Sequence, residues 1–398
     1  STVLFACSYA LCAWALGHQW NIMWLDTFAL LPMVMLGMIS LLQTRRFFLY
    51  TVTLFLSVAS NYYIGFFTCI FVALCFFAYE ICYGQGFRRF LGDLGAMLLF
   101  SLLAIALTAF LEWPAYVALG TTNSSVNEFP TTFSLNIASE ASWRGLLEAM
   151  GKVAGNTAGG LEPTFKEGLP NLYCGILPLL LLIQLFASKE VRLREKLCTL
   201  GMLVFFMLSF ILRQLDYIWH GFHFTNMIPY RFSFLFSFVV LVMAYRGYQL
   251  KKRPRWQVAL SMVLFLGLAA CSDQRLDPVF LIYNLGFCAL YGGLLLAQKR
   301  PRKVVIEEED GPTVQIIPLT GKETHRNRLT AQALLGAGRL RGGLWRPLRR
   351  HRHLQLPQRQ GGHGPGAGAH EGAGGGFSLL PGGVHPHSDP KRRRPQRL

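Results

Sequence analysis

The chain of 398 residues is 52% hydrophobic and only 15% charged, with a mean hydropathy of +0.35. This composition lies outside the range of ordinary soluble domains and predicts a polytopic membrane protein. The net charge of +17 would suggest nucleic acid, but residues 322–398 hold 15 of the 38 Lys and Arg and only 3 of the 21 Asp and Glu. Because the basicity belongs mostly to that segment, we expect no nucleic-acid partner.

Apolar runs follow one another through residues 1–300 and predict an all-α membrane domain of about ten transmembrane helices. They cover roughly 2–17, 27–42, 47–60, 64–83, 94–117, 172–187, 197–213, 230–249, 256–271 and 278–297. Several are shorter than the roughly 20 residues that a straight crossing needs. The chain opens inside an apolar run without a Met, so we expect its natural N-terminus to lie upstream.

Lys and Arg concentrate in every second loop, which predicts that those loops are cytoplasmic. The basic loops contain Arg45 and Arg46, Arg88 and Arg89, and the segments 189–196, 246–255 and 299–303. The alternate loops, at 18–26, 61–63, 118–171, 214–229 and 272–277, are then extracytoplasmic. The long loop 118–171 is predicted to be a lid, a binding loop or a disordered segment, and 301–321 a cytoplasmic linker.

Residues 322–398 change in character, because Gly, Arg, His, Pro and Gln replace the apolar runs. Such a segment buries too little apolar surface to offset its ordering entropy, so we expect disorder. One interpretation is a polybasic tail on anionic membrane lipids. The other is an out-of-frame translation. On either interpretation, deleting the tail is expected to leave the membrane abundance of the remaining chain unchanged.

Polar and aromatic residues gather at the predicted outer ends of the spans, and Arg231 is the most informative of them. A charged side chain at the edge of hydrocarbon needs a partner or a polar cavity, which indicates a functional site. The alternative is an Arg that snorkels to the headgroups. The neighbouring candidates are Asp26, Asn61, Tyr62, Tyr63, His223, Asn226 and Tyr230.

Asp26 stands where a span begins, so its carboxylate could cap the helix or act as a general base. Asp216, His220 and His223 have helical spacing and suggest a metal or acid–base cluster, although a wet loop also tolerates His without a role. The sequence contains no phosphate-binding Gly-rich loop and no HExxH pattern. We therefore predict no metal ligands and no soluble nucleotide donor.

Four short motifs carry a family resemblance. They are Trp24-Leu25-Asp26, Ser60 to Phe66 (SNYYIGF), Leu172 to Gly175 (LYCG) and Pro229 to Phe234 (PYRFSF). Through residues 1 to about 300 the sequence resembles the bacterial YfhO family of multi-pass cell-membrane proteins. That family belongs with the GT-C-type glycosyltransferases, which move a sugar from a polyprenyl-phosphate donor to an outer-surface acceptor. Gram-positive members are associated with lipoteichoic acid.

The resemblance implies roles for the outer-face residues. Arg231, with Tyr230, would hold the lipid-linked phosphate, and Asp26 would deprotonate the acceptor hydroxyl; the other candidates would line the substrate site. Such enzymes usually carry the catalytic acid after their first span, which we expect to lie upstream of this chain, so the activity of the present product is an open question. So is a divalent metal requirement.

Two other functions remain open. A transporter or flippase of a lipid-linked envelope precursor would also place an Arg and a carboxylate on a polar cavity. Such proteins more often show repeated halves and ionisable residues deep within spans. This sequence shows no repeat, and most of its charges cluster at one face. The other is a non-catalytic assembly subunit.

Overall fold

The computed structural model describes residues 2–119, 129, 143–154, 169–222, 224, 227–298, 302–308 and 311–317. Two of the predicted site residues, His223 and Asn226, lie outside this part of the chain. Most of the loop 118–171 and the whole of 322–398 also lie outside it.

The described residues between 2 and 298 are mostly helical. In chain order these are α1 (Thr2–Ala10), α2 (Ala13–Gly17), α3 (Ile22–Thr44), α4 (Phe48–Ser60), α5 (Tyr62–Tyr83), α6 (Phe87–Leu119), α7 (Trp143–Gly151), α8 (Ile176–Ala187), α9 (Leu193–Ile211), α10 (Arg213–Trp219), α11 (Ser233–Tyr248), α12 (Arg255–Ala270) and α13 (Pro278–Ala297). Each of the ten apolar runs coincides with a helix, except that the first is divided between α1 and α2.

Four of the described helices are long and apolar enough to cross a membrane, namely α3, α5, α6 and α13. Helices α4, α8, α11 and α12 are apolar but have only 13, 12, 16 and 16 residues. A straight crossing needs roughly 20 residues. The chain is therefore a multi-pass helical membrane protein, while the count of ten spans stays a prediction.

The apolar surfaces of the helices differ according to what they face. Helix α8 is buried around most of its circumference, with nine buried residues, because it packs against α11, α12 and α13. Helix α6 instead exposes Leu99, Leu102 and Phe110. A large exposed apolar face on a helix of this length is typical of contact with lipid.

Two glycines allow helices to approach closely. A Cβ added at Gly37 of α3 would lie 2.6 Å from the backbone N and Cα of Tyr50 in α4. One added at Gly247 of α11 would meet the carbonyl oxygen of Leu181 in α8. Because real Cβ atoms do not approach backbone so closely, only glycine permits these two crossings as they stand.

A two-stranded antiparallel hairpin follows the last helix, in the segment predicted to be a linker. It consists of β1 (Arg302–Glu308) and β2 (Gly311–Ile317), with Arg302 opposite Ile317 and Glu308 opposite Gly311. Both strands are rich in the β-branched residues Val and Ile, which favour extended backbone. The sequence prediction did not include these strands.

The predicted orientation can be tested at the two ends of α12. Its 16 residues separate the basic loop at Lys252 from the loop at Leu276 by about 24 Å. Both side chains are exposed. We expect Leu276→Cys to react with an impermeant maleimide in intact cells, and Lys252→Cys to react only after lysis. The parent chain, with its nine native cysteines, gives the background labelling. The opposite labelling pattern would mean that each loop lies on the other side of the membrane from the one predicted.

Candidate functional site

The segment that leads into α11 has an unusual backbone. Ile228 and Tyr230 have φ values of 57° and 62°, in the left-handed region. A β-branched residue rarely adopts this conformation, and Ile228 also precedes Pro229, which restricts it further. The conformation therefore needs support from its surroundings.

Arg231 supplies that support from within the same segment. Its Nε donates to the carbonyl oxygen of Ile228 at 3.0 Å, and its Nη2 donates to that of Met227 at 2.8 Å. The backbone oxygen of Arg231 accepts a hydrogen bond from the Trp14 Nε1 at 2.9 Å. The arginine is thus tied to its own loop and to α2, which lies more than 200 residues earlier in the chain.

Two aromatic rings flank the guanidinium group. Its Cζ lies 5.2 Å from the centre of the Trp24 ring and 4.9 Å from that of the Tyr63 ring. Both distances suit cation–π attraction, which fixes the guanidinium between the first turns of α3 and α5. The structure thus brings Arg231 and Tyr63 together, with Trp24 as a third member. Arg231 itself is half-buried, so part of it remains accessible.

Asn61 and Tyr62 stand beside Tyr63 but differ in their surroundings. The Asn61 Oδ1 accepts a hydrogen bond from the Ile64 backbone N–H at 2.9 Å, so this side chain caps α5. Capping of α5 therefore explains the conformation of the Asn61 side chain without any contact to a substrate. The Tyr62 ring is exposed, with its centre 6.4 Å from that of Tyr63.

Tyr230 is almost completely buried, and its ring meets the edge of Phe210 at 6.0 Å. It is less accessible than the sequence interpretation assumed for a residue that contacts substrate.

Asp26 is the fifth residue of α3 and is exposed. The hypothesis that it caps the helix is wrong, because the helix begins at Ile22 and its N-cap is Asn21. Residues two apart on a helix point to different faces, so Asp26 and the buried Trp24 diverge. Asp26 forms no hydrogen bond or ion pair with another residue of the described part of the chain. The structure places it near the same end of the bundle, outside the cluster around Arg231.

A buried acid–imidazole pair lies close to this cluster. The His220 Nδ1 lies 3.0 Å from the Asp216 carboxylate and 2.8 Å from the Asp216 backbone oxygen. The His220 ring centre is 6.2 Å from that of Tyr63. The spacing of four residues was the available sequence signal, but the sequence could not show that both residues are buried. No group of three His, Cys, Asp or Glu suited to a metal occurs among the described residues, from which His223 is missing.

His18 also belongs to this neighbourhood, and the sequence analysis did not single it out. It is buried between the rings of Trp14, at 4.7 Å, and Trp24, at 5.4 Å. Burial lowers the pKa of its imidazole to about 4, against a smaller opposing effect of the hydrogen bond with the Trp14 carbonyl, while the Arg231 charge adds a still smaller lowering. His18 is therefore neutral at pH 7.

The pKa of His18 predicts acid sensitivity. Since the pKa of about 4 in the folded protein lies below the ordinary histidine pKa of 6.5, the unfolded chain takes up this proton first as the pH falls. The contribution to stability is complete above pH 6.5 and is lost as the pH falls towards 4, with a total on the order of 3 kcal/mol. We expect the melting temperature of His18→Gln to fall less than that of the parent over this range. If the melting temperatures of the two proteins fell equally with pH, the lowered pKa of His18 would be contradicted.

Comparison with known proteins identifies the family. The model of the family "Bacterial membrane protein YfhO" matches residues 1–306, so the chain belongs to that family. Neither the curated proteins nor the solved structures contain a match to the chain. The match covers every residue of the site described above.

Proposed function

We propose that this YfhO-family membrane protein is a GT-C-type glycosyltransferase with about ten spans. It would transfer a sugar from a polyprenyl-phosphate donor to a cell-envelope polymer, such as lipoteichoic acid, at the outer face of the membrane. The observation that supports this proposal most strongly is the fixed, half-buried guanidinium of Arg231 at the predicted outer end of the bundle.

The surroundings of Arg231 suit a lipid-linked phosphate. Two of the five N–H groups that a guanidinium carries are used by the loop carbonyls of Met227 and Ile228. The remaining edge can donate to an anion. Because the rings of Trp24 and Tyr63 already hold its plane, little side-chain entropy remains to be lost on binding. A phosphate at headgroup depth would then receive charge-assisted hydrogen bonds.

Sugar transfer also requires a base for the acceptor hydroxyl, and we assign that role to Asp26. Its carboxylate is exposed near the end of α3 that is predicted to be outer, two residues after Trp24. Asp216 is less suited to meeting an acceptor, because it is buried against His220. The exposed ring of Tyr62, and the predicted residues His223 and Asn226, would contact the sugar or the acceptor.

The test is transfer of radiolabelled sugar from a polyprenyl-phosphate donor to isolated envelope polymer by membranes that contain the protein. Loss of a general base slows such a step by about 100-fold or more, so we expect this for Asp26→Asn. Asp273→Asn is the matched control, because Asp273 is an exposed carboxylate on the same predicted face and forms an ion pair with Lys152. Equal activities of the two variants would remove Asp26 from the mechanism.

A flippase would give a different result in cells. Deleting the gene would leave the polymer glycosylated, while the amount of lipid-linked donor exposed at the cell surface would change. Loss of polymer glycosylation with normal exposure of the donor supports the transferase instead.

A further inference from the structure

A basic groove lies at the opposite end of α11 from Arg231, which precedes the first turn of that helix. The groove has a volume of about 840 Å³ and is formed by the connections after α8 and α11 and the first turn of α12. The residues that line it are Ser188, Lys189, Glu190, Arg246, Gln249, Lys251, Lys252, Pro254, Trp256 and Gln257. Its Lys and Arg residues predict that it opens on the cytoplasmic side.

Three exposed lysines dominate the charge of the groove, namely Lys189, Lys251 and Lys252. The positive charge of Arg246 is balanced by Glu195, whose Oε1 lies 3.0 Å from the Arg246 Nε. The acid within the groove is Glu190. Among the described residues these three lysines form no ion pair, and only one acidic residue lines the groove with them, so the groove retains positive charge.

Glu190 holds the loop that carries two of these lysines. Its carboxylate oxygens accept the backbone N–H groups of Lys251, at 2.8 Å, and Lys252, at 2.5 Å. Beneath this contact, Leu185, Val191 and Leu250 form a small buried apolar cluster. The loops after α8 and α11 are therefore fixed to each other, which sets the positions of the lysines.

Two further side chains line the groove, Gln257 and Trp256. The Gln257 Nε2 donates to the Ala187 carbonyl at 3.1 Å, while its buried Oε1 has no hydrogen-bond partner in the described part of the chain. The Trp256 side chain is 57% exposed, at the point where α12 begins its apolar run. An indole in this position is typical of the membrane–water interface.

We propose that this groove binds the headgroup of an anionic glycerophospholipid from the cytoplasmic leaflet. The lysines would contact the phosphate, and Trp256 would lie against the glycerol and upper acyl region. A lipid is favoured over a soluble anion because one rim of the groove is an exposed indole at the start of an apolar helix. The site is separate from the one around Arg231 and does not depend on the proposed function.

The test is binding of phosphatidylglycerol and phosphatidylcholine to the purified, delipidated full chain, counted by native mass spectrometry. Removing two lysines is expected to weaken phosphatidylglycerol binding roughly 30-fold. The variant is Lys251→Gln with Lys252→Gln. Its matched control, Arg88→Gln with Arg194→Gln, removes the same charge from exposed positions on the same predicted face, outside the groove. The control is expected to bind as the parent does. An equal loss in both would show diffuse surface attraction and overturn the proposal.

Glu190→Ala separates a formed site from a charged patch. It makes the surface more positive, so diffuse attraction would tighten phosphatidylglycerol binding, whereas a groove that depends on the Glu190 contacts would bind less. Unchanged or tighter binding overturns the proposal. So does displacement of the lipid by inorganic phosphate at equal concentration, which would indicate a soluble-anion site. Melting temperatures in phosphatidylcholine identify any variant that fails to fold. If the double lysine variant fails, Lys251→Gln alone replaces it.

Discussion

Arg231→Ala is expected to weaken binding of a polyprenyl-phosphate donor by roughly 10- to 100-fold, which is the effect of losing one charge-assisted contact. The purified chain provides this measurement directly, because donor binding does not require turnover. The reduction in sugar transfer is then measured in a family member that carries the same PYRFSF motif. Wild-type binding by the variant would remove Arg231 from the site.

Arg213→Ala is the matched control for that experiment. Arg213 is exposed at the start of α10, and its guanidinium lies 4.4 Å from the centre of the Phe224 ring. It is thus another arginine stacked on an aromatic ring at the same predicted face. We expect its removal to leave donor binding unchanged, since it is not part of the cluster around Trp24 and Tyr63.

Arg231→Lys distinguishes phosphate recognition from membrane anchoring. A snorkelling anchor would tolerate Lys, because only a positive charge at the headgroups is required. Recognition by a planar fork would not, because an ammonium cannot donate in parallel to loop carbonyls and a phosphate. We therefore expect Arg231→Lys to bind the donor nearly as weakly as Arg231→Ala.

The loop hydrogen bonds of Arg231 introduce a third explanation, in which the residue only maintains the strained backbone. Ile228→Gly removes the cost of the left-handed conformation, which is about 1–2 kcal/mol for a residue with a side chain. If Arg231 acts only by holding this loop, adding Ile228→Gly to Arg231→Lys restores donor binding. If Arg231 contacts the phosphate, binding stays weak while the melting temperature recovers.

Much of the fold could be predicted from the sequence because hydropathy reports directly on helices in a membrane. Each apolar run coincides with a helix, including the ends of α5 within two residues. The division of the first run into α1 and α2 could not be predicted, because nothing in its composition marks the break. The twelve-residue length of α8 is equally unexpected. Its burial between α11, α12 and α13 explains why such a short helix is apolar apart from Gln184.

The sequence could indicate which candidate residues belong to one end of the bundle, but it could not indicate how they contact one another. Arg231 and Tyr63 could be assigned to one end of the bundle from the topology, as could Asp26. Their arrangement could not, because it depends on contacts between residues far apart in the chain, such as the bond from Trp14 to Arg231. His18 was missed for the same reason. A histidine in a loop between apolar runs has no sequence signal until its burial between two tryptophans is known.

The close helix crossings predict the largest effects on stability. A methyl group at Gly37 would lie 2.6 Å from the Tyr50 backbone, and one at Gly247 would overlap the Leu181 carbonyl oxygen. Because the obstructing atoms are backbone, the helices themselves must separate, and overpacking of this kind typically costs about 1–3 kcal/mol or more. We expect Gly37→Ala and Gly247→Ala each to lower the melting temperature and the yield of monodisperse protein in detergent.

Gly267→Ala and Gly293→Ala are the controls, since a Cβ at either position meets no other atom within 4 Å. Both glycines lie inside helices, α12 and α13, where alanine is the better helix former by about 1 kcal/mol. These two variants should therefore be as stable as the parent or more stable, although the chemical change is identical. If all four variants behaved alike, the close crossings of α3 with α4 and of α8 with α11 would be wrong. Since α3 carries Trp24 and α11 follows Arg231 directly, an error in either crossing would also displace two sides of the candidate site.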